Sequence, residues 1–233
     1  MTRFHSRAVR SRARLLASAL LLAGASLPAL AMQPFTANYS ANYMGLDAVG
    51  TMTMAPAGGD RWSYTLNIRS SLAQLTQRTV FEDHDGKWRP LSNDDSASVL
   101  IKKKHKTADY DWGSGIARWS GDVKPDRSGP VKLQPGDLDA MLVNLAIARD
   151  VAAGKPLSYR MVDDGRAKSL TYQVAGKDTV TVAGKSHAAT KVSRTDGNKQ
   201  TIVWVVEGMP VPARILQRKD GKDEMDLRLK SID

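Results

Sequence analysis

The sequence predicts a mainly β protein: a curved antiparallel β-meander, a half-barrel or open barrel, laid against one buried α-helix. Three observations predict it. Apolar residues recur at every second position through much of the chain after residue 33. Asp-Gly and Gly-Gly pairs punctuate these runs. One segment, Asp137–Ala153, drops the two-residue period for a helical one.

The first element is expected to be removed. Residues Met1–Ala31 have the features of a secretory signal peptide: Arg3, Arg7, Arg10, Arg12 and Arg14 with no acid, an apolar run from Leu15 to Leu30, then Ala29-Leu30-Ala31 as a small-x-small cleavage site. The apolar run is shorter than the roughly 20 residues that span a bilayer, and Pro28 interrupts it, so cleavage after Ala31 is expected rather than an anchor. No Arg-Arg pair occurs, which favours the general secretion route over the twin-arginine one. The chain has no cysteine, which excludes disulfides, thiolate metal sites and a lipidated cleavage site. The expected compartment is the Gram-negative periplasm. The net charge of +10 falls to about +5 once the five arginines of the leader are set aside. That balance, in that compartment, argues against nucleic acid as a partner. The remaining 32–233 is expected to fold as a single β-rich domain.

The strands follow in order. Phe35, Ala37, Tyr39, Ala41 and Tyr43 alternate with polar residues, as do Trp62, Tyr64, Leu66 and Ile68. After the helical segment, Leu170, Tyr172 and Val174 alternate, then Ile202, Trp204 and Val206, then Met225, Leu227 and Leu229. Successive strand side chains point to opposite faces, so this rhythm means sheets with one buried face. Asp85-Gly86, Asp164-Gly165, Asp196-Gly197 and Asp220-Gly221, with Gly58-Gly59, suit the positive φ of tight hairpins, which makes neighbouring strands antiparallel. Between the two groups of strands, Leu138, Met141, Leu142, Leu145 and Ala148 fall at helical spacing over about 137–153. Asp137 is the expected N-cap and Gly154 the expected stop. Val143, Ala146, Ile147 and Val151 make the helix apolar around most of its circumference, the mark of a buried helix.

These pieces resemble a known family. Pro34-Phe35-Thr36-Ala37-Asn38-Tyr39 and Gly45-Leu46 open the resemblance, followed by Asp85-Gly86-Lys87-Trp88-Arg89-Pro90-Leu91 and Asp111-Trp112. Leu133-Gln134-Pro135-Gly136-Asp137-Leu138-Asp139, Ala152-Ala153-Gly154-Lys155, Thr201-Ile202-Val203-Trp204 and Pro210-Val211-Pro212-Ala213-Arg214-Ile215 complete it. In order and spacing they are similar to the exported bacterial proteins of domain of unknown function 3108. That resemblance implies an exported β-rich protein and transfers no activity. The tail Thr201–Ile232 is more weakly similar to the end of the outer-membrane lipoprotein-carrier half-barrels, from which the chain departs in having one clear helix instead of several.

The candidate sites are few. Tyr39, Trp62, Tyr64 and Trp204, with Leu138, Met141, Leu142 and Leu145, are expected to form the concave face, either as core or as the lining of an apolar-ligand site. Glu82, Asp83, His84 and Asp85 are expected to be a solvated turn, because adjacent strand residues point apart and rarely converge on one metal ion. Lys102, Lys103, Lys104, His105 and Lys106 suit either anionic head groups or an edge strand guarded by lysines; the edge strand is the expectation. Asp137 and Asp139 lie two apart on the expected helix and so point in different directions. Gly113-Ser114-Gly115 lacks the lysine and helix of a phosphate loop, and no nucleophile-elbow, zinc-protease or Ser-x-x-Lys motif occurs. The expectation is a non-enzymatic periplasmic protein without catalytic residues, metal or cofactor. It would bind an apolar ligand, lipid or lipoprotein, on the concave face, or serve as a structural or protein-interaction module of the envelope.

Overall fold

Period-two alternation becomes strand along nearly the whole chain. The computed structural model describes residues 32–43 and 45–233, so the expected signal segment Met1–Ala31 lies outside the described residues. Before the helix come β1 (Phe35–Tyr43), β2 (Leu46–Pro56), β3 (Arg61–Arg69), β4 (Ala73–His84), β5 (Lys87–Val99), β6 (Lys102–Asp111), β7 (Ile116–Gly121) and the short β8 (Val131–Lys132). After α1 (Ala140–Ala152) come β9 (Ser158–Asp163), β10 (Arg166–Thr171), β11 (Gln173–Val182), β12 (Lys185–Asp196), β13 (Lys199–Val206), β14 (Arg214–Lys219) and β15 (Lys222–Ile232).

The sheet is two meanders fused at the chain ends. Hairpins join β1 to β8 in sequence order and β11 to β15 likewise. The last strand then pairs antiparallel with the first, with Tyr39 opposite Leu229 and Ala41 opposite Leu227. The result is a 13-stranded sheet with β11 and β8 at its two edges, not closed into a barrel. β9 and β10 form a separate two-stranded hairpin.

Residues paired across antiparallel strands share a face. One row runs Ala41–Leu227–Ile215–Val203–Val192 and is buried throughout. The next runs Ser40–Arg228–Arg214–Trp204–Lys191 on the opposite face. α1 lies against the first, inner face, in contact with β13 and β4, and also with the β9–β10 hairpin. Met141, Leu142, Val143, Leu145, Ala146, Ile147 and Ala148 are all buried, in keeping with a helix apolar on most sides.

Two expectations need correction. The helix begins at Ala140, not Asp137, because Leu138 is held in an extended bridge: its N–H donates to the Arg160 carbonyl at 3.1 Å and its carbonyl accepts from Val162 N–H at 2.8 Å. Asp139 is therefore the N-cap, accepting from Leu142 N–H at 2.8 Å. The expected strand Leu170–Val174 is split: Tyr172 donates its N–H to Leu157 at 2.9 Å, leaving Leu170 on β10 and exposing Val174 on β11. The lysine-rich segment is an edge for most of its length, as expected: Lys102–Lys104 pair with β5 alone, and β7 joins β6 only from Lys106 onward.

Turn chemistry places the β9–β10 hairpin. Asp164 and Gly165 both adopt positive φ, and a Cβ on Gly165 would overlap the backbone of Arg127 in the short 3₁₀ turn Pro125–Arg127. Gly165→Ala is expected to cost about 1–2 kcal/mol, read as a lower urea midpoint, because an L side chain at that φ is strained and the overlap forces the two turns apart.

Candidate functional site

The inner face is apolar at β13–β15 and β1–β2 and becomes polar at β4–β6. Its longest row across that half is Phe35–Met54–Tyr64–Thr79–Asn93–Ala108–Trp119. Two residues along, Gln77–Asp95–Lys106 form a second row on the same face. Gln77 Nε2 donates to Asp95 Oδ2 at 3.3 Å, and Lys106 Nζ lies 3.5 Å from the same oxygen. The β9–β10 turn brings Asp164 to 3.6 Å from Lys106 Nζ.

The cap of α1 completes this polar seam. Thr79 Oγ1 donates to Asp139 Oδ2, and Asn93 Nδ2 donates to Thr79 at 3.4 Å. Asp139 is only 1 % exposed, and burial drives its pKa up to about 7 against the hydrogen bonds from Thr79 and Leu142 N–H. Burial likewise raises Asp163, with Lys106 opposing. Lys106 is pulled down by burial, but Asp163, Asp95 and Asp164 outweigh it and hold its pKa above the ordinary value. Nearby, Asp137 is 1 % exposed and pairs with Arg160, whose Nη2 also donates to Lys132 O at 3.2 Å. Tyr110 donates to the Val162 carbonyl at 3.0 Å. The seam ties β4, β5 and β6 to the helix start and the β9–β10 turn.

The eight residues expected on the concave face divide. Tyr39, Tyr64, Leu138, Met141, Leu142 and Leu145 are buried, and Trp62 is half-buried. Tyr39 Oη donates to the Pro212 carbonyl at 2.8 Å, and opposite its backbone Gly50 leaves room that a side chain would fill. Tyr64 Oη meets Met52 Sδ at 2.9 Å. Trp204 is buried too but faces the other way. The register puts Val203 inward, so Trp204 lies on the outer face, covered by Arg214 with the guanidinium carbon 4.5 Å from the ring centre. Its Nε1 donates to Asp178 at 2.9 Å, which holds that carboxyl below its usual range.

The seam itself was not legible as a site. Its signal is a polar residue in phase with buried ones: Thr79 two before Phe81, and Lys106 two before Ala108 and four before Tyr110. Two surface depressions, of about 360 Å³ and 300 Å³, lie elsewhere, around Gln74, Ser98, Lys103 and Lys104 and around Arg69–Gln74 with Leu100. No residue of α1 lines either. Glu82–Asp85 form the end of β4 and its turn into β5, and Gly113–Gly115 the β6–β7 loop, where Asp111 accepts from Gly113 and Ser114 N–H at 2.9 and 3.0 Å.

With this geometry in place, comparison with known proteins assigns the chain. Residues 38–228 match the family described as "Protein of unknown function (DUF3108)". The chain belongs to that family. Comparison with curated proteins finds no match. Among solved structures, the chain is similar to a β-barrel-like protein of domain of unknown function DUF1849 from Brucella abortus. The two share 13 % identity and a TM-score of 0.53, over 86 % of this chain and 97 % of that one. MucB aligns at 9 % identity and TM-score 0.37, over 86 % of this chain and 52 % of its own. The first likeness concerns fold: a DUF3108 chain shares its barrel-like sheet with a DUF1849 protein. No helix among the described residues is long and apolar enough to cross a membrane.

Proposed function

We propose that this DUF3108 protein is a non-catalytic periplasmic module of the cell envelope that works through contacts on its surface, its concave face being given over to its own core. The observation that carries this reading is the seating of α1, whose buried residues cover the inner face. A carrier of acyl chains needs apolar space between helix and strands. Here Tyr39, Tyr64, Met141, Leu142 and Leu145 are buried by their neighbours in the chain itself. The polar seam supports a non-catalytic reading, because Asp139 is held by Thr79 at the start of the helix and Lys106 is held by Asp95 and Asp164.

A second reading, an apolar ligand or lipoprotein acyl chain held on the concave face, is favoured by the sheet's open edges at β8 and β11. It requires α1 to move off the strands. Native mass spectrometry of protein purified from the periplasm without detergent decides between them. The first reading expects the mass of the processed polypeptide alone. A co-purifying lipid that displaces on α1 substitution favours the second and overturns the first.

A further inference from the structure

We propose that the hairpin tips at one end of the sheet form a contact edge for an anionic phospholipid bilayer, with Leu72, Leu100 and Ile101 entering the headgroup layer and Arg69 and Lys102–Lys104 binding lipid phosphates. This rests on the surface-contact reading and names its partner.

Over β1–β7 the two ends of the sheet differ in turn chemistry, whereas farther along the end that carries the β1–β2 turn the β12–β13 and β14–β15 turns are Asp196-Gly197 and Asp220-Gly221. Strands alternate in direction, so the β1–β2, β3–β4 and β5–β6 turns all lie at one end. Within β2–β7 the turns at the other end are built from Gly58-Gly59, Asp85-Gly86 and Gly113-Ser114-Gly115, the residues water-facing turns favour. At the first end the turns and their flanks carry Leu46, Val49, Leu72, Val99, Leu100 and Ile101, all exposed. Leu100 is 72 % exposed and Ile101 94 %. Leu100 also takes φ +53°, a left-handed conformation that glycine or asparagine adopts more readily. Asn-Gly at this turn would remove both the strain and the exposed apolar surface, so leucine and isoleucine there point to something that covers them.

Two of the tips are held together. Leu100 N–H donates to the Leu72 carbonyl at 2.9 Å, bonding the β5–β6 turn to the β3–β4 turn. Strands lie about 4.8 Å apart, so three tips spaced two strands apart form a line roughly 20 Å long.

Charge selects the partner. Behind the tips, Lys102 sits opposite Val99, Lys103 opposite Ser98, Lys104 opposite Ala97 and Arg69 opposite Gln74. The next two positions along β6 face acids: His105 is 3.0 Å from Asp94 and Lys106 is 3.5 Å from Asp95. Arg69 and Lys102–Lys104 make no ion pair among the described residues. Both surface depressions open beside them. Single apolar side chains on protruding turns, with cations set one to three residues back, match a deformable layer whose phosphates lie above its acyl chains. A protein surface would have to offer three separate apolar sockets spaced along that line.

The test uses the processed protein with vesicles of phosphatidylcholine and phosphatidylglycerol at 7:3, and of phosphatidylcholine alone, in co-sedimentation. Binding is expected to the anionic vesicles, at least ten-fold weaker to neutral ones and weakened by salt. Leu100→Asn with Ile101→Ser should lower it at least ten-fold, as should Lys102→Glu with Lys103→Glu, each pair with an unchanged circular dichroism spectrum. Leu100→Trp should shift its emission to the blue on vesicle addition. The proposal is overturned by three outcomes: no binding to anionic vesicles, binding unchanged in the tip pair, or photo-cross-linking from position 101 in cells that captures one protein instead of lipid. If the vesicle test fails while native mass spectrometry finds an empty interior, only this partner is lost. A lipid held inside the sheet removes the underlying reading whatever the vesicles show.

Discussion

Asp139→Asn is expected to make the protein more stable at pH 8 and to remove part of its pH dependence. The carboxyl sits beneath α1 at 1 % exposure, with its pKa raised from 3.8 to about 7 by burial. A raised native pKa means that the folded state holds a proton the unfolded chain has released. The stabilisation linked to that proton is fully present below about pH 4 and is lost as pH rises toward 7. Above pH 7 the folded state carries a buried anion whose cost is about 4 kcal/mol relative to the protonated form. Asparagine keeps the cap, since its oxygen accepts from Leu142 N–H, and its amide faces Thr79 without a charge. Urea unfolding of both proteins from pH 4 to pH 8 checks this. The difference between them should grow with pH in favour of the asparagine variant and level off above 7. Asp163, whose charge is one of those that raise Asp139, adds a slope of the same sign; Asp226, held low despite burial by Arg214 and Arg228, adds one of the opposite sign that cancels in the difference. A variant less stable than the parent at pH 8 would show that the Thr79–carboxylate contact outweighs desolvation.

Leu142→Ala should lose about 3 kcal/mol of unfolding free energy. Leu142 has no exposed surface, and its backbone N–H is bound by the helix cap. Truncation leaves a void between α1 and the sheet, and a well-filled interior relaxes only partly around it. The size of the loss separates the two meanings of the concave face. A residue lining a ligand cavity already faces space, so its truncation should cost under about 1 kcal/mol. Urea midpoints at constant slope measure this, and a small loss for Leu142 and Leu145 together would move the apolar-ligand reading ahead.

Most of the strand elements follow from local pattern. β1, β3, β13 and β15 coincide with runs in which apolar residues alternate, because a strand with one buried face imposes that period on its sequence. Asp85-Gly86, Asp164-Gly165 and Asp220-Gly221 mark turns because both residues there adopt positive φ. The hairpins at Leu100-Ile101 and Ala183-Gly184 carry no such Asp-Gly or Asn-Gly mark, and Leu100 and Ala183 take positive φ against residue preference. The lysine run after Leu100 reads as an edge, and Lys102–Lys104 do pair on one side only, β7 joining β6 from Lys106 onward.

Placement within a face needed the third dimension. Trp204 shares its alternation with Ile202 and Val206, and alternation alone does not say which set faces inward. Val203 and Val205 are equally apolar, and the pairing of Trp204 with Arg214 and Lys191 settles it. Asp139 looked like an ordinary helix residue until the Leu138–Met161 bridge held the helix start back to Ala140. The clamp of Thr79, Asp95, Lys106 and Asp139 joins residues up to 60 positions apart, and the polar residue in phase with buried neighbours that marks Thr79 and Lys106 does not say which partners they meet.

The amino-acid order by itself determined a β-rich chain, one buried helix, the polar turns and the absence of thiol chemistry. Each is a property of neighbouring residues, set by backbone geometry and by which side chains leave water. The tertiary structure alone decided that the last strand pairs with the first, that the helix closes over a polar seam, and that Leu72, Leu100 and Ile101 are left facing outward at one end. Those outcomes depend on strand register and on contacts between distant segments, which local periodicity does not encode.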